Sequence, residues 1–175
     1  MTILFAGRFD RWQKGLDWLA SAVDSSAADL QYIIQGRGSF APQLEALAQR
    51  KPHGSVTLRP WGPISTSLQE ADILIMTSRF EGFPLVAIEA IHAGVPVVAT
   101  RQSGLGDVLP TSAQVEFGDT AALLGAINRM RDASARAACV AHSREQARRL
   151  LSNDVYAEAV CQAVQVLRKL GTESR

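Results

Sequence analysis

Two runs in this chain, Ile73-Leu74-Ile75-Met76 and Val95-Pro96-Val97-Val98-Ala99, are apolar at every position. Such runs suit strands covered on both faces rather than strands with one side in water. They belong to longer β-rich stretches at 72–78 and 95–100, and similar stretches bounded by turn residues lie at 3–7, 31–36, 55–60 and 114–117. Between them, apolar positions recur at helical spacing over 16–23, 41–48, 64–71 and 84–93. Strand and helix therefore alternate, which predicts an α/β fold: a doubly wound, mostly parallel sheet of about six strands with helices on both faces. After Gly118 the strand pattern stops, and 120–130, 133–151 and 154–170 read as closing helices. A length of 175 residues fits one domain with its own core, spanning 1–175.

Composition removes several classes of function. Eighteen basic residues face seventeen acidic ones, so no basic field exists to attract a phosphate backbone and nucleic acid is not an expected partner. Cys139 and Cys161 both fall in helical stretches and make no disulfide framework, which fits a reducing, cytoplasmic setting. The first residues run directly into a strand without a signal-peptide pattern. No apolar run approaches the roughly 20 residues that span a bilayer, so a soluble chain is expected, with peripheral attachment of a parent protein to the inner membrane face left open. No His, Cys, Asp and Glu cluster has ligand spacing, and no metal is expected.

In an open parallel sheet the strand-to-helix turns carry the ligand. The first, Gly7-Arg8-Phe9-Asp10-Arg11-Trp12-Gln13-Lys14-Gly15, offers two cations that could converge on one anion. It lacks the glycine pattern of a dinucleotide fingerprint and the Gly-Lys-Ser/Thr of a P-loop. The fourth, Ser78-Arg79-Phe80-Glu81-Gly82-Phe83-Pro84, leads into a helix expected to start at Pro84. Glu81 then sits at the mouth of a pocket and Glu89 about 8 Å further along the helix axis. Between the two carboxylates, the amides of Leu85 and Val86 at the helix start favour a phosphate. That order matches a sugar, a diphosphate and a ribose.

The Glu81-x7-Glu89 spacing, and the run Glu-Gly-Phe-Pro-Leu-Val-Ala-Ile-Glu-Ala-Ile-His-Ala-Gly-Val-Pro-Val-Val-Ala-Thr that contains it, resemble the signature of the group 1 retaining glycosyltransferases. Ala6-Gly7-Arg8 with Lys14-Gly15-Leu16-Asp17, the Gly36-Arg37-Gly38 turn, and Glu70-Ala71-Asp72-Ile73 follow in the same order. The resemblance implies a Rossmann-like domain forming the C-terminal, donor-binding half of a GT-B architecture. It also implies a nucleotide-diphosphate sugar as donor substrate, no cofactor, and metal-independent transfer with retention. The N-terminal acceptor-binding domain of that architecture is not among these residues, so the chain alone is expected to be a poor catalyst.

By the same resemblance, Arg8 and Lys14 would neutralise the diphosphate, Glu81 would hold the transferred sugar, and Glu89 would accept from the ribose hydroxyls. Gly82, Phe83, Leu85 and Val86 would complete the donor pocket, with the backbone around Gly62 and Ile64 beside the base and the Gly36 turn in the wall. Two departures stand out. Ser103-Gly104-Leu105-Gly106-Asp107 replaces the adjacent glycines usual after Thr100, and the segment from Gly62 to Leu68 is short.

Other readings compete. A non-catalytic nucleotide-sugar-binding module would be favoured by loss of Glu81, Arg8 or Lys14, and all three are present. A GT-B-like sugar-nucleotide epimerase would need further acid and base residues. Of the histidines, His92 in mid-helix is expected to be buried and hydrogen-bonded rather than catalytic. Trp18 is expected in the core or on an interdomain surface, Trp12 stays ambiguous, and the arginine-rich stretch 144–149 reads as a solvated helix face.

Overall fold

The computed structural model describes residues 1–150; the helix expected over 154–170, and Cys161 within it, lie outside the described residues. Six strands, β1 (Thr2–Arg8), β2 (Gln31–Arg37), β3 (Val56–Pro60), β4 (Ile73–Met76), β5 (Val97–Thr100) and β6 (Gln114–Val115), form one sheet in the order β3-β2-β1-β4-β5-β6. Every pairing is parallel. The order reverses between β1 and β4, which meet with Ile3 opposite Ile73 and Leu4 opposite Leu74. Such a reversal opens a crevice beyond the carboxyl ends of the strands, because the flanking helices depart to opposite faces there.

Among the described residues six helices cover the sheet: α1 (Leu16–Asp24), α2 (Ala41–Arg50), α3 (Ser65–Glu70), α4 (Leu85–Ala93), α5 (Thr120–Arg129) and α6 (Ala133–Leu150). The pleat of β1 sends Ile3 and Phe5 to one face and Leu4 and Ala6 to the other. Ile3 and Phe5 join a core with Leu19 and Val23 of α1, Leu44 and Leu47 of α2, and Leu123 of α5. Leu4 and Ala6 join a second core with Leu68 of α3, Ala87 and Ile91 of α4, and Ala147 of α6. Ile3 and Leu4 are fully buried, which contributes about 1.5–3 kcal/mol each by transfer of apolar surface from water. The continuous apolar strands are thus explained by two cores, one on each face.

Some local expectations shift. Pro84 is the residue before α4 rather than its first, with φ −81 and ψ 107, and its carbonyl accepts the first helical bond, from Ala87, at 3.1 Å. His92 is exposed, contrary to the expectation of a buried ring. Helix α4 turns Ala87, Ala90 and Ile91 inward and leaves His92 on the outer side, where its carbonyl accepts from Arg144 at 2.7 Å. Arg144 also donates to the Ile91 carbonyl at 2.9 Å, so the first arginine of the basic stretch caps a helix end. Trp18 is buried, with its indole N–H donating to Thr120 Oγ1 at 2.9 Å. Two 3-10 turns at Arg101–Ser103 and Thr111–Ala113, which no sequence pattern announced, fill the path from β5 to β6.

Candidate functional site

A cleft of about 700 Å³ opens at the carboxyl ends of β1 and β4, within the size range of small-molecule sites. Three segments build its walls. The first turn gives Gly7, Arg8 and Lys14; the strip after β3 gives Trp61, Gly62, Pro63 and Ile64; the fourth loop and the start of α4 give Glu81, Phe83, Leu85, Val86 and Glu89. All the residues singled out for a donor pocket thus meet in one place, apart from two glycines. Gly82 sits between Glu81 and Phe83 but is not part of the wall. Gly36 is also absent from it: it pairs with Gly7 in the β1–β2 ladder, where a Cβ would run into the Gly7 carbonyl oxygen and the Phe9 ring. The lack of a side chain at this position is required by the close approach of the two backbones.

The first turn is fastened by groups that sequence reading did not find. Gly15 precedes α1 at φ 61 and ψ 34, and Thr77 Oγ1 donates to the Lys14 carbonyl at 2.9 Å. The Arg79 backbone N–H donates to the Gln13 carbonyl at 2.8 Å, and its Nη1 donates to the carbonyls of Trp12 at 2.8 Å and Arg11 at 3.1 Å. The same guanidinium grips Asp17 with bonds of 3.2 and 2.9 Å. It lies 4.5 Å from the Trp12 ring centroid and 4.2 Å from that of Phe117, within cation–π range. Trp12, ambiguous from sequence, is an exposed lid on this arginine. Arg79 therefore holds the loop that carries the cations at three carbonyls, those of Arg11, Trp12 and Gln13, and ties it to Asp17 at the start of α1.

Within the cleft, Lys14 and Glu81 form an ion pair, with side chains 16% and 10% exposed. The same Glu81 oxygen accepts from Ser78 Oγ at 2.9 Å. Sequence reasoning assigned these two residues to different parts of a ligand, and here each neutralises the other. Arg8 is exposed and donates to Gln13 Oε1. Glu89 is exposed on the cleft side of α4 and has no hydrogen bond or ion pair among the described residues. Ahead of the first α4 hydrogen bond, the amides of Leu85 and Val86 lie in the wall as helix-start donors.

Asp17 shows the balance of forces behind the clamp. Burial, the largest influence, pushes its pKa up, but the hydrogen bonds and charge of Arg79, with backbone donors, hold it below the ordinary 3.8. A carboxyl lowered by folding stabilises the native state above its unfolded pKa, and that contribution is lost as pH falls through the folded value. The melting temperature of the wild type is thus expected to fall more steeply below about pH 4 than that of Asp17→Asn. Parallel pH profiles would remove the clamp as a source of stability.

Among the described residues no three His, Cys, Asp or Glu side chains gather in a metal-binding group. No helix among them is long and apolar enough to cross a membrane.

The arrangement has counterparts. A family model described as "Glycosyl transferases group 1" matches residues 1–133. An uncharacterized glycosyltransferase of Methanocaldococcus jannaschii is 29% identical over 109 residues, 61% of this chain and 30% of that protein. Among solved structures, sucrose-phosphate synthase from Thermosynechococcus elongatus superposes with a TM-score of 0.75 at 28% identity, covering 99% of this chain and 46% of that one. HepE of Anabaena, solved in complex with UDP-glucose, gives a TM-score of 0.74 at 21% identity over 94% of this chain and 48% of that one. The chain therefore spans about a third of the curated relative's length and about half of these solved chains.

Proposed function

Since the chain belongs to the group 1 glycosyltransferases, we propose that it is the donor-binding part of a retaining enzyme that moves a sugar from a nucleotide diphosphate to an acceptor held by a further domain. The observation that carries this reading is the convergence of two cations, two carboxylates and a helix start on one cleft at the switch point of the sheet. Each group suits one part of such a donor. Arg8, Lys14 and the amides of Leu85 and Val86 meet the diphosphate. Glu89, whose side chain has no partner among the described residues and is open to the cleft, accepts from the ribose hydroxyls, and Glu81 accepts from the sugar once Lys14 turns to the phosphates. The base lies against the strip from Trp61 to Ile64.

During transfer the bond from the anomeric carbon to the diphosphate oxygen breaks, and negative charge grows on the leaving group. Cations placed beforehand at that oxygen stabilise the charge as it develops. This assignment needs no metal, and it is supported by UDP-glucose in HepE, a protein of the same fold. The retained anomeric configuration and a cytoplasmic setting belong to the same proposal, as does the second domain, whose place is left by the chain's share of its relatives' length.

Calorimetry of this chain against UDP, GDP, ADP and dTDP, with and without chelator, tests the reading. Saturable binding of one nucleoside diphosphate in the presence of chelator is expected; no binding of any at millimolar concentration would refute it. In the same assay Glu89→Ala is expected to weaken the preferred nucleotide by about 1.5–3 kcal/mol, the range for hydrogen bonds to a charged group. Unchanged affinity would remove Glu89 from the ribose.

A further inference from the structure

A directed chain of hydrogen bonds runs behind the strip from Trp61 to Ile64. It begins at Glu70, whose carboxylate accepts from Arg59 Nη2 at 2.6 Å. Arg59 Nη1 donates to Ser67 Oγ at 2.8 Å. A guanidinium can only donate, so the serine oxygen accepts there and its own hydrogen goes to Gln35 Oε1, 2.7 Å away. That fixes the orientation of the glutamine amide. Its Nε2 must face the strip, where it donates to the Pro63 carbonyl at 3.2 Å and the Gly62 carbonyl at 3.4 Å. Gln35 and Ser67 are 7% and 1% exposed, so the bond between them, which sets the direction of the glutamine amide, is shielded from water.

The strip has few other ways to set its direction. It lies between β3 and the six-residue α3, and Pro63 has no N–H to anchor it. Peptides here are trans and planar, so drawing the Pro63 carbonyl onto Gln35 turns the Ile64 N–H to the opposite side. The glutamine thereby decides which polar groups the strip keeps for its own contacts and which it can offer a ligand. It does so from within the cleft wall, of which it is a part, while Arg8, Lys14 and Glu89 lie in other segments.

From this we infer that Gln35 is a positioning residue for recognition of the nucleobase: it orients the strip at 61–64 and so sets which base the cleft prefers. The inference rests on the donor reading above. It separates base recognition from diphosphate recognition within one cleft, and that separation is measurable.

Gln35→Met keeps the length of the side chain and removes the amide oxygen and nitrogen. It is expected to weaken the preferred nucleoside diphosphate about tenfold, the effect of roughly one net hydrogen bond, and to shrink its advantage over the other bases by a similar factor. The affinity of inorganic pyrophosphate should stay within twofold. Gln35→Glu, which sets a carboxylate against two carbonyl oxygens, should lose more. Ser67→Ala, which frees the amide to turn over, should lose less, and it carries the same test should Gln35→Met fail to fold. Unchanged base preference in both Gln35→Met and Ser67→Ala would overturn the inference while leaving the donor reading intact. Equal losses for pyrophosphate and nucleotide would overturn it too, by showing a general structural role. If the wild type binds pyrophosphate but no nucleotide, the donor reading fails and takes the inference with it.

Discussion

Replacing Arg8 and Lys14 together by alanine is expected to weaken a nucleoside diphosphate by at least two orders of magnitude, while the parent nucleoside loses almost nothing. Each cation would make a charge-assisted bond to phosphate, worth about 1.5–3 kcal/mol, so the pair represents about 3–6 kcal/mol. The loss should exceed that of two independent contacts. Without Lys14, Glu81 loses its cationic partner and keeps only the Ser78 hydroxyl, and an uncompensated carboxylate then faces the incoming diphosphate. Adding Glu81→Gln to the double variant should therefore recover part of the diphosphate affinity. Isothermal titration with nucleoside and nucleoside diphosphate side by side measures the difference, and equal losses for the two ligands would point to unfolding instead.

The largest effect on stability is expected from Gly15→Ala. The residue holds φ 61, a region that costs a residue with a Cβ about 1–2 kcal/mol. The added carbon would also collide with the Thr77 carbonyl oxygen and press on the Phe117 ring. Neither can retreat easily. Phe117 lies under the Arg79 guanidinium and meets the Trp18 ring edge-on, while Thr77 follows directly after β4 and holds the Lys14 carbonyl. Together the two effects place the substitution at about 3–5 kcal/mol, in the range reserved for backbone strain and steric overlap. In a domain of this size that corresponds to a fall of about 6–20 °C in Tm. A change of only a few degrees would mean that the turn relaxes freely, and that the first turn is a less rigid support for Lys14 than its bonds suggest.

The layout of the sheet was legible from the sequence because burial on both faces leaves a mark at every position. Ile73 to Met76 have nowhere polar to point, and the chain says so. The donors and acceptors of the cleft were legible for a different reason: Arg8, Lys14, Glu81 and Glu89 sit at fixed distances from strand ends and a helix start. Gly36 was misplaced because a missing Cβ looks the same in the sequence whether it makes room for a ligand or for the Gly7 backbone. His92 was misplaced because helix α4 is apolar on most of its surface, and spacing alone did not reveal which side meets the sheet. Arg79 and Gln35 left no trace at all. Their partners lie up to 68 and 32 residues away, so their roles exist only once the loops have been brought together.

On the proposed reading, the Lys14–Glu81 pair acts as a latch across the cleft whose key is negative charge. A free sugar entering the cleft then finds its carboxylate already engaged and gains little. A diphosphate that draws Lys14 away releases Glu81 at the same moment, so the carboxylate becomes available only when the anion attached to the sugar is in place. Recognition of the two ends of the donor is then cooperative within a single molecule, and abundant free sugars are turned away without any part of the wall having to exclude them by shape.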